Sequence, residues 1–126
     1  MIKANELRIN NYVYINENIK QVDVIDYNQV IATESGLIEL KYIKPIPLTE
    51  EWLLKFGFGI DKDYDDTFFN NIALEQAVIL YNTKYKLFTL ETDRGDEIQI
   101  ECEYVHQLQN LYFALTNEEL KIKEYE

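Results

Sequence analysis

Two segments decide the fold: KYIKPIPLTEEWLLKFGF, Lys41 to Phe58, and EYVHQLQNLYFALTNEEL, Glu103 to Leu120. Each couples a strand-like run to a capped amphipathic helix. In the first, Pro45 and Pro47 stop a sheet because neither has an amide hydrogen for a ladder. Thr49 is a natural N-cap, and Glu50 and Glu51 occupy the first turn, where the helix dipole favours anions. Trp52, Leu53 and Phe56 share one face with Leu54 at its margin, and Gly57 supplies a left-handed exit. In the second, Tyr104, Leu108, Leu111, Tyr112 and Leu115 form one apolar stripe at helical spacing, and Gln107, Gln109 and Asn110 read as the opposite side. Asn117 stands where a left-handed residue ends a helix. Leu120 and Ile122 read as a last short strand.

Outward from these segments the chain reads as strands. Leu7 to Ile15 alternates around an Asn10-Asn11 turn signal, and Ile19 to Ile25 runs as a strand with Val22 and Val24 on one face. Turns at Asn16-Glu17-Asn18, Tyr27-Asn28-Gln29 and Ser35-Gly36 separate it from Val30–Thr33 and Leu37–Ile43. Short strands broken by Asn or Gly are a meander, either a small SH3-like barrel or a curled sheet. Gly59 to Asn71 is the least regular part. Beyond it, Ala77–Tyr81, Tyr85–Leu90 and Glu97–Cys102 are strands around Asn82-Thr83-Lys84 and Asp93-Arg94-Gly95-Asp96, while Ile72–Gln76 reads equally as strand or helical turn. The fold class is α+β. A barrel-like subdomain (1–47) precedes a subdomain of short helix, antiparallel meander and C-terminal helix (48–126).

Composition narrows the function classes. The net charge of −11 argues against a general nucleic-acid binder, whose affinity comes from neutralising phosphates. Residues 1–47 carry five Lys/Arg against six Asp/Glu, and residues 48–126 carry seven against seventeen. Such a field favours a basic partner and repels DNA or an anionic membrane. Ten tyrosines and six phenylalanines favour strands and interfaces. One cysteine, Cys102, excludes an internal disulfide. With no apolar signal core and no spanning stretch, the sequence points to the cytosol.

NELRINNYV (Asn5–Val13), PIPLTEEWLLKFGF (Pro45–Phe58) and VHQLQNLYFALT followed by an EEL (Val105–Leu120) fall in the order seen in a family of small uncharacterised proteins of phages and prophages of gut anaerobic bacteria. The chain resembles that family over roughly half its length, with Asn11 and Asn117 where the family commonly has glycine. The resemblance implies a phage or mobile-element origin, hence the host cell cytosol. It brings no activity and no catalytic residues.

The chemistry-bearing clusters are weak. Asp61, Asp63 and Asp65 match the first ligands of an EF-hand-type loop, but Asp66 stands where glycine is needed and Ile72 where the bidentate Glu belongs. A solvated acidic loop is the reading. Cys102 and His106 would share a face only if both were helical, and two ligands do not close a zinc site. As a nucleophile pair they lack an orienting group. Ser35, the one serine, sits in a turn, and the four glycines never form a phosphate loop. Nothing selects Glu91, Glu101 or Glu103 as a tuned acid pair. No catalytic residue, metal or cofactor is assigned.

The expected function is binding, without enzymatic activity: an acidic inhibitor or adaptor engaging a basic protein surface through Asp61, Asp63, Asp65, Asp66, Glu91, Asp93 and Asp96. A groove of Tyr12, Tyr14, Tyr42, Tyr81 and Tyr85 is the candidate for a peptide or ligand. The first alternative is a counter-defence protein that sequesters a small nucleotide signal. That reading requires Lys41, Lys44, Lys84, Lys86 and Arg94 to converge on the phosphates. The second is a virion component. A homo-oligomer is compatible with the sequence.

Overall fold

A computed structural model describes residues 2–26, 30–33, 36–71 and 77–123, with the side chains of 30–33 and of Asn71 left aside. The turn read at Tyr27–Gln29, Ser35 and the ambiguous Ile72–Gln76 lie outside the described residues. The architecture is α+β: two antiparallel sheets, a short helix between them and a longer helix at the end.

The first sheet contains β1 (Tyr12–Ile15), β2 (Asn18–Ile25), β3 (Val30–Thr33), β4 (Gly36–Glu39) and β5 (Ile43–Lys44), in the order β4-β3-β2-β1-β5. It is the curled sheet and not a closed barrel, since β4 and β5 are its two edges. The curl is built into β2. Its residues Asn18–Gln21 pair with β1, whereas Val22–Ile25 pair with β3 across a register shift between Val22 and Val24. A bulge of this kind bends a strand and turns its side chains. Val22 is therefore fully buried while Val24 is exposed, correcting the single face that plain alternation implied. The alternation around Leu7 is likewise not a strand. Ala4–Glu6 forms a 3-10 turn, Asn10 adopts a left-handed φ of 79°, and the strand itself starts only at Tyr12, after Asn10 and Asn11 have each bonded the Val22 backbone. Another 3-10 turn, Leu40–Tyr42, interrupts the predicted Leu37–Ile43 run.

The helix α1 spans Glu50–Lys55, with the Thr49 side chain accepting from the Trp52 amide at 3.5 Å and Gly57 leaving at φ 89°. The second sheet contains β6 (Gly59–Ile60), β7 (Thr67–Asn71), β8 (Ala77–Asn82), β9 (Leu87–Thr92) and β10 (Glu97–Glu101), in the order β10-β9-β8-β7-β6. The Gly59–Asn71 stretch thus hides a hairpin whose Phe68 belongs to the core. The helix α2, Val105–Thr116, ends on Asn117 at φ 59°. Leu120 is buried and Ile122 packs beside it, but neither is in a strand; the segment is held by the Lys123 amide donating to the Lys55 carbonyl at 2.7 Å.

The two segments quoted at the outset are paired with each other. The Val105 amide donates to Ile46 O at 2.9 Å and the Leu48 amide to Glu103 O at 3.0 Å, so the proline segment bridges to the entrance of α2. The main core forms around this junction from Ile46, Trp52, Leu53, Phe56, Phe68, Ile79, Tyr81, Phe88, Val105 and Leu108. A smaller core contains Ile2, Leu7, Val13, Ile15, Val22, Leu40 and Ile43. β1 serves both, because successive strand side chains point to opposite faces. Val13 and Ile15 enter the small core, while Tyr12 and Tyr14 pack on the main one.

A buried polar seam joins the halves. The Gln109 side chain accepts from the Tyr12 amide at 2.9 Å and donates to Asn10 O at 3.1 Å. Asn110 accepts from the Asn11 side chain at 2.9 Å and donates to Glu6 O at 2.8 Å. Arg8 lies 3.8 Å from the Phe113 ring centroid and pairs with Glu119. Gln109 and Asn110 are thus not a solvent face. With His106 and Phe113 they form a second stripe at steps of three and four, occupied by residues 6–12. Asn11, read as a turn, is fully buried here; its neighbour Asn10 takes the left-handed conformation.

Candidate functional site

Register sorts the second sheet into two faces. Phe68, Ile79, Tyr81 and Phe88 point to the core. Phe69, Val78, Leu80, Leu87 and Thr89 point the other way and line an open concavity of about 670 Å³. Tyr64 and Tyr85 stand at its rim, 69% and 66% exposed, and Asp61, Glu91 and Glu97 bring carboxylates to it. The core face of a sheet beside its helix is ordinarily the apolar one; here the outer face carries a half-buried apolar patch as well.

Glu91 and Glu97 are directly opposite on β9 and β10. Such pairs hold their Cβ atoms about 4.5–5.5 Å apart, and like charges there repel. Among the described residues neither carboxylate has a cationic partner. Glu97 was not singled out from the sequence; only the register, invisible in a single strand, reveals it.

The other acidic residues divide between the ends of the sheet. Asp61, Asp63, Asp65 and Asp66 precede β7, beside the β8–β9 loop that carries Tyr85, as the Thr83 amide bond to Asp66 O shows. Asp93 and Asp96 lie in the β9–β10 turn at the far end. Six residues of β8 separate the two groups by roughly 17 Å. They are two acidic ends joined by one concave face, and not the single patch expected. In the loop, the Asp61 carboxylate accepts from the Asp63 amide at 2.9 Å.

The tyrosine groove does not assemble as expected. Tyr81 is fully buried and donates to Cys102 O at 2.5 Å, and burial pushes its phenol well above the ordinary range. Tyr12 wedges against Trp52 and Phe56, with ring centroids 5.6 and 6.3 Å away. Tyr85 belongs to the second sheet's concavity. Only Tyr14 and Tyr42 meet, in a cleft they share with Asn16, Glu17, Lys41 and Lys44. Of the five cations required for a nucleotide, only Lys41 and Lys44 are there. Lys41 is already 3.4 Å from Glu39, and Lys84 sits over the Tyr85 ring.

Cys102 precedes α2 and is not helical, so the shared face with His106 does not exist. Burial pushes the Cys102 thiol up to about 12, against an ordinary value near 9. His106 is 1% exposed; burial lowers its pKa, opposed by the Glu6 carboxylate. At 3.7 Å that carboxylate is too distant for a hydrogen bond and helps only by its charge. A buried neutral thiol is a poor nucleophile. No group of three His, Cys, Asp or Glu capable of holding a metal occurs among the described residues.

No family model, curated protein or solved structure matches this chain. No helix among the described residues is long and apolar enough to cross a membrane.

Proposed function

We propose that this is a non-enzymatic accessory protein of a phage or prophage, working in the host cytosol as an acidic inhibitor or adaptor that binds a host or phage protein. The binding surface is the outer face of the second sheet. The observation that carries this reading is the Glu91–Glu97 pair: two carboxylates held opposite each other, without a cation among the described residues, at the margin of a half-buried apolar patch. In the free protein that arrangement is repulsive, and a basic partner relieves it. The resemblance to the phage family supports the origin, and the chain's acidity supports the sign of the partner.

The test is affinity capture from bacterial lysate, compared quantitatively between the wild-type protein and Glu91→Gln/Glu97→Gln. The partner should be depleted tenfold or more by the substitutions and by raised salt. An identical captured set would remove the basis of the proposal.

A second reading rests on the Tyr14–Tyr42 cleft with Lys41 and Lys44, which offers two aromatic rings and two cations to a small nucleotide. It predicts that ADP-ribose-type or cyclic nucleotides raise the melting temperature, and that Tyr42→Ala abolishes the effect. No shift with any such ligand would exclude it.

A further inference from the structure

The second sheet ends on β10, and its free edge has a readable polarity. The Cys102 amide donates to Lys86 O, and the Thr92 amide donates to Asp96 O. In an antiparallel ladder these bonded pairs alternate with non-bonded ones. With Ile98 opposite Leu90 and Ile100 opposite Phe88, the isoleucines spend their backbone groups on β9. The N–H and C=O groups of Glu97, Gln99 and Glu101 consequently point away from the sheet. No strand pairs with them among the described residues.

Side chains along this edge alternate as strongly as the backbone. Ile98 and Ile100 are on the core-side face yet remain 58% and 40% exposed. Glu97, Gln99 and Glu101 are on the outer face, where Glu97 adjoins Glu91. β10 exposes five residues of edge, short of Glu103, whose carbonyl already accepts from the Leu48 amide; such an edge is a template for another strand, and here charge decides which one. A second copy in the antiparallel register with fullest overlap would place Glu97 opposite Glu101 twice, a like-charge clash that disfavours self-pairing. A strand with Lys or Arg at the positions facing Glu97 and Glu101, and aliphatic residues facing Ile98 and Ile100, meets the edge on both faces.

We infer that the partner supplies an extended segment of alternating basic and aliphatic residues, which adds to the second sheet as a strand beside β10. This deepens the proposed function and rests on it: the acidic outer face gives the sign, and the free edge gives the backbone geometry. Main-chain bonds provide affinity in such additions, and alternate side chains provide selectivity.

The probe is a synthetic peptide of alternating lysine and valine, added to the intact protein and followed by amide hydrogen exchange and NMR titration. Strand addition slows exchange at Glu97, Gln99 and Glu101 at least tenfold and leaves Ile98 and Ile100, already bonded to β9, nearly unchanged. Laid antiparallel to β10, the peptide's lysine amides face the edge and its valine amides face away. N-methylation of the central lysine should therefore weaken binding about tenfold or more, while N-methylation of a valine should not. A glutamate-for-lysine peptide should not bind.

Binding that shifts Asp61, Tyr85 and Glu91 without protecting the edge would overturn strand addition while leaving the acidic-face reading intact. Equal binding of the lysine and glutamate peptides, or none of either, would overturn the inference, while the capture experiment separately decides the acidic face. A dimer that protects the same three amides without peptide would assign the edge to a second copy instead.

Discussion

Replacing Gln109 with leucine tests the seam that joins the two halves. The side chains are similar in volume, so the apolar packing around position 109 is nearly kept. What is lost is the acceptor for the Tyr12 amide and one of two donors to the Asn10 carbonyl, which keeps the Gln21 side chain at 3.1 Å. A buried backbone group left without a partner costs about 1–3 kcal/mol. The unpartnered Tyr12 amide, with about 1 kcal/mol for the lost bond to Asn10 O and offset by about 1 kcal/mol for the added apolar burial, places the loss at about 1–3 kcal/mol. For a domain of this size that lowers the melting temperature by roughly 4–12 °C. Urea and thermal unfolding measure it, with faster exchange of the Tyr12 amide as the local signature. Gln107→Leu is the comparison. Its side chain accepts from the Glu103 and Tyr104 amides at the helix entrance, where water can replace it, so about 1 kcal/mol is expected. If Gln109→Leu costs less than about 1 kcal/mol, or no more than Gln107→Leu, the seam is not what holds Asn10 and Tyr12 to the helix.

Three further outcomes follow from buried groups. Cys102, with its thiol raised to about 12, should resist iodoacetamide in the native protein at pH 8 and react on unfolding, as mass spectrometry would show. His106 has a lower pKa folded than unfolded, so the unfolded chain binds more protons and stability falls as pH drops below the unfolded value near 6.5. Urea midpoints at pH 7 and pH 5 should therefore differ less in His106→Phe than in the wild type; an equal difference would discount the histidine. Tyr81→Phe leaves Cys102 O without its donor and should cost about 1–2 kcal/mol in chemical denaturation.

Both helices were legible because their signals are local. Thr49, the Trp52–Phe56 spacing, the α2 stripe and Asn117 each act within a turn or two. The hairpin turns at Asn16-Glu17 and Asp93–Asp96 were readable for the same reason. The polar stripe of α2 was not. Gln109 and Asn110 announce a need for hydrogen-bond partners, and water satisfies that need as well as a backbone does. Only the approach of residues 6–12 settles which partner they have. Tyr81 and Tyr85 illustrate the same limit within the candidate site. Both sit in tyrosine-rich strand territory, yet one is core and the other is rim, because the strand ends at Asn82 and a loop intervenes. Phe68 and Phe69 were obscured by the acidic run before them, and Glu97 gained its meaning only from the residue facing it.

The seam also imposes an order of events during synthesis. Tyr12 and Gln109 are 97 positions apart, and Asn10 and Gln109 are 99 apart. At an elongation rate of 5–20 residues per second, Tyr12 waits roughly 5–20 s for its acceptor to be made. Throughout that interval its amide lacks the Gln109 acceptor, and for the first part its ring also lacks Trp52 and Phe56. Closing so long a loop is entropically costly and slows folding. The helix therefore acts as a latch on the nascent chain, and the first sheet can reach its final packing only after the ribosome has passed Asn110.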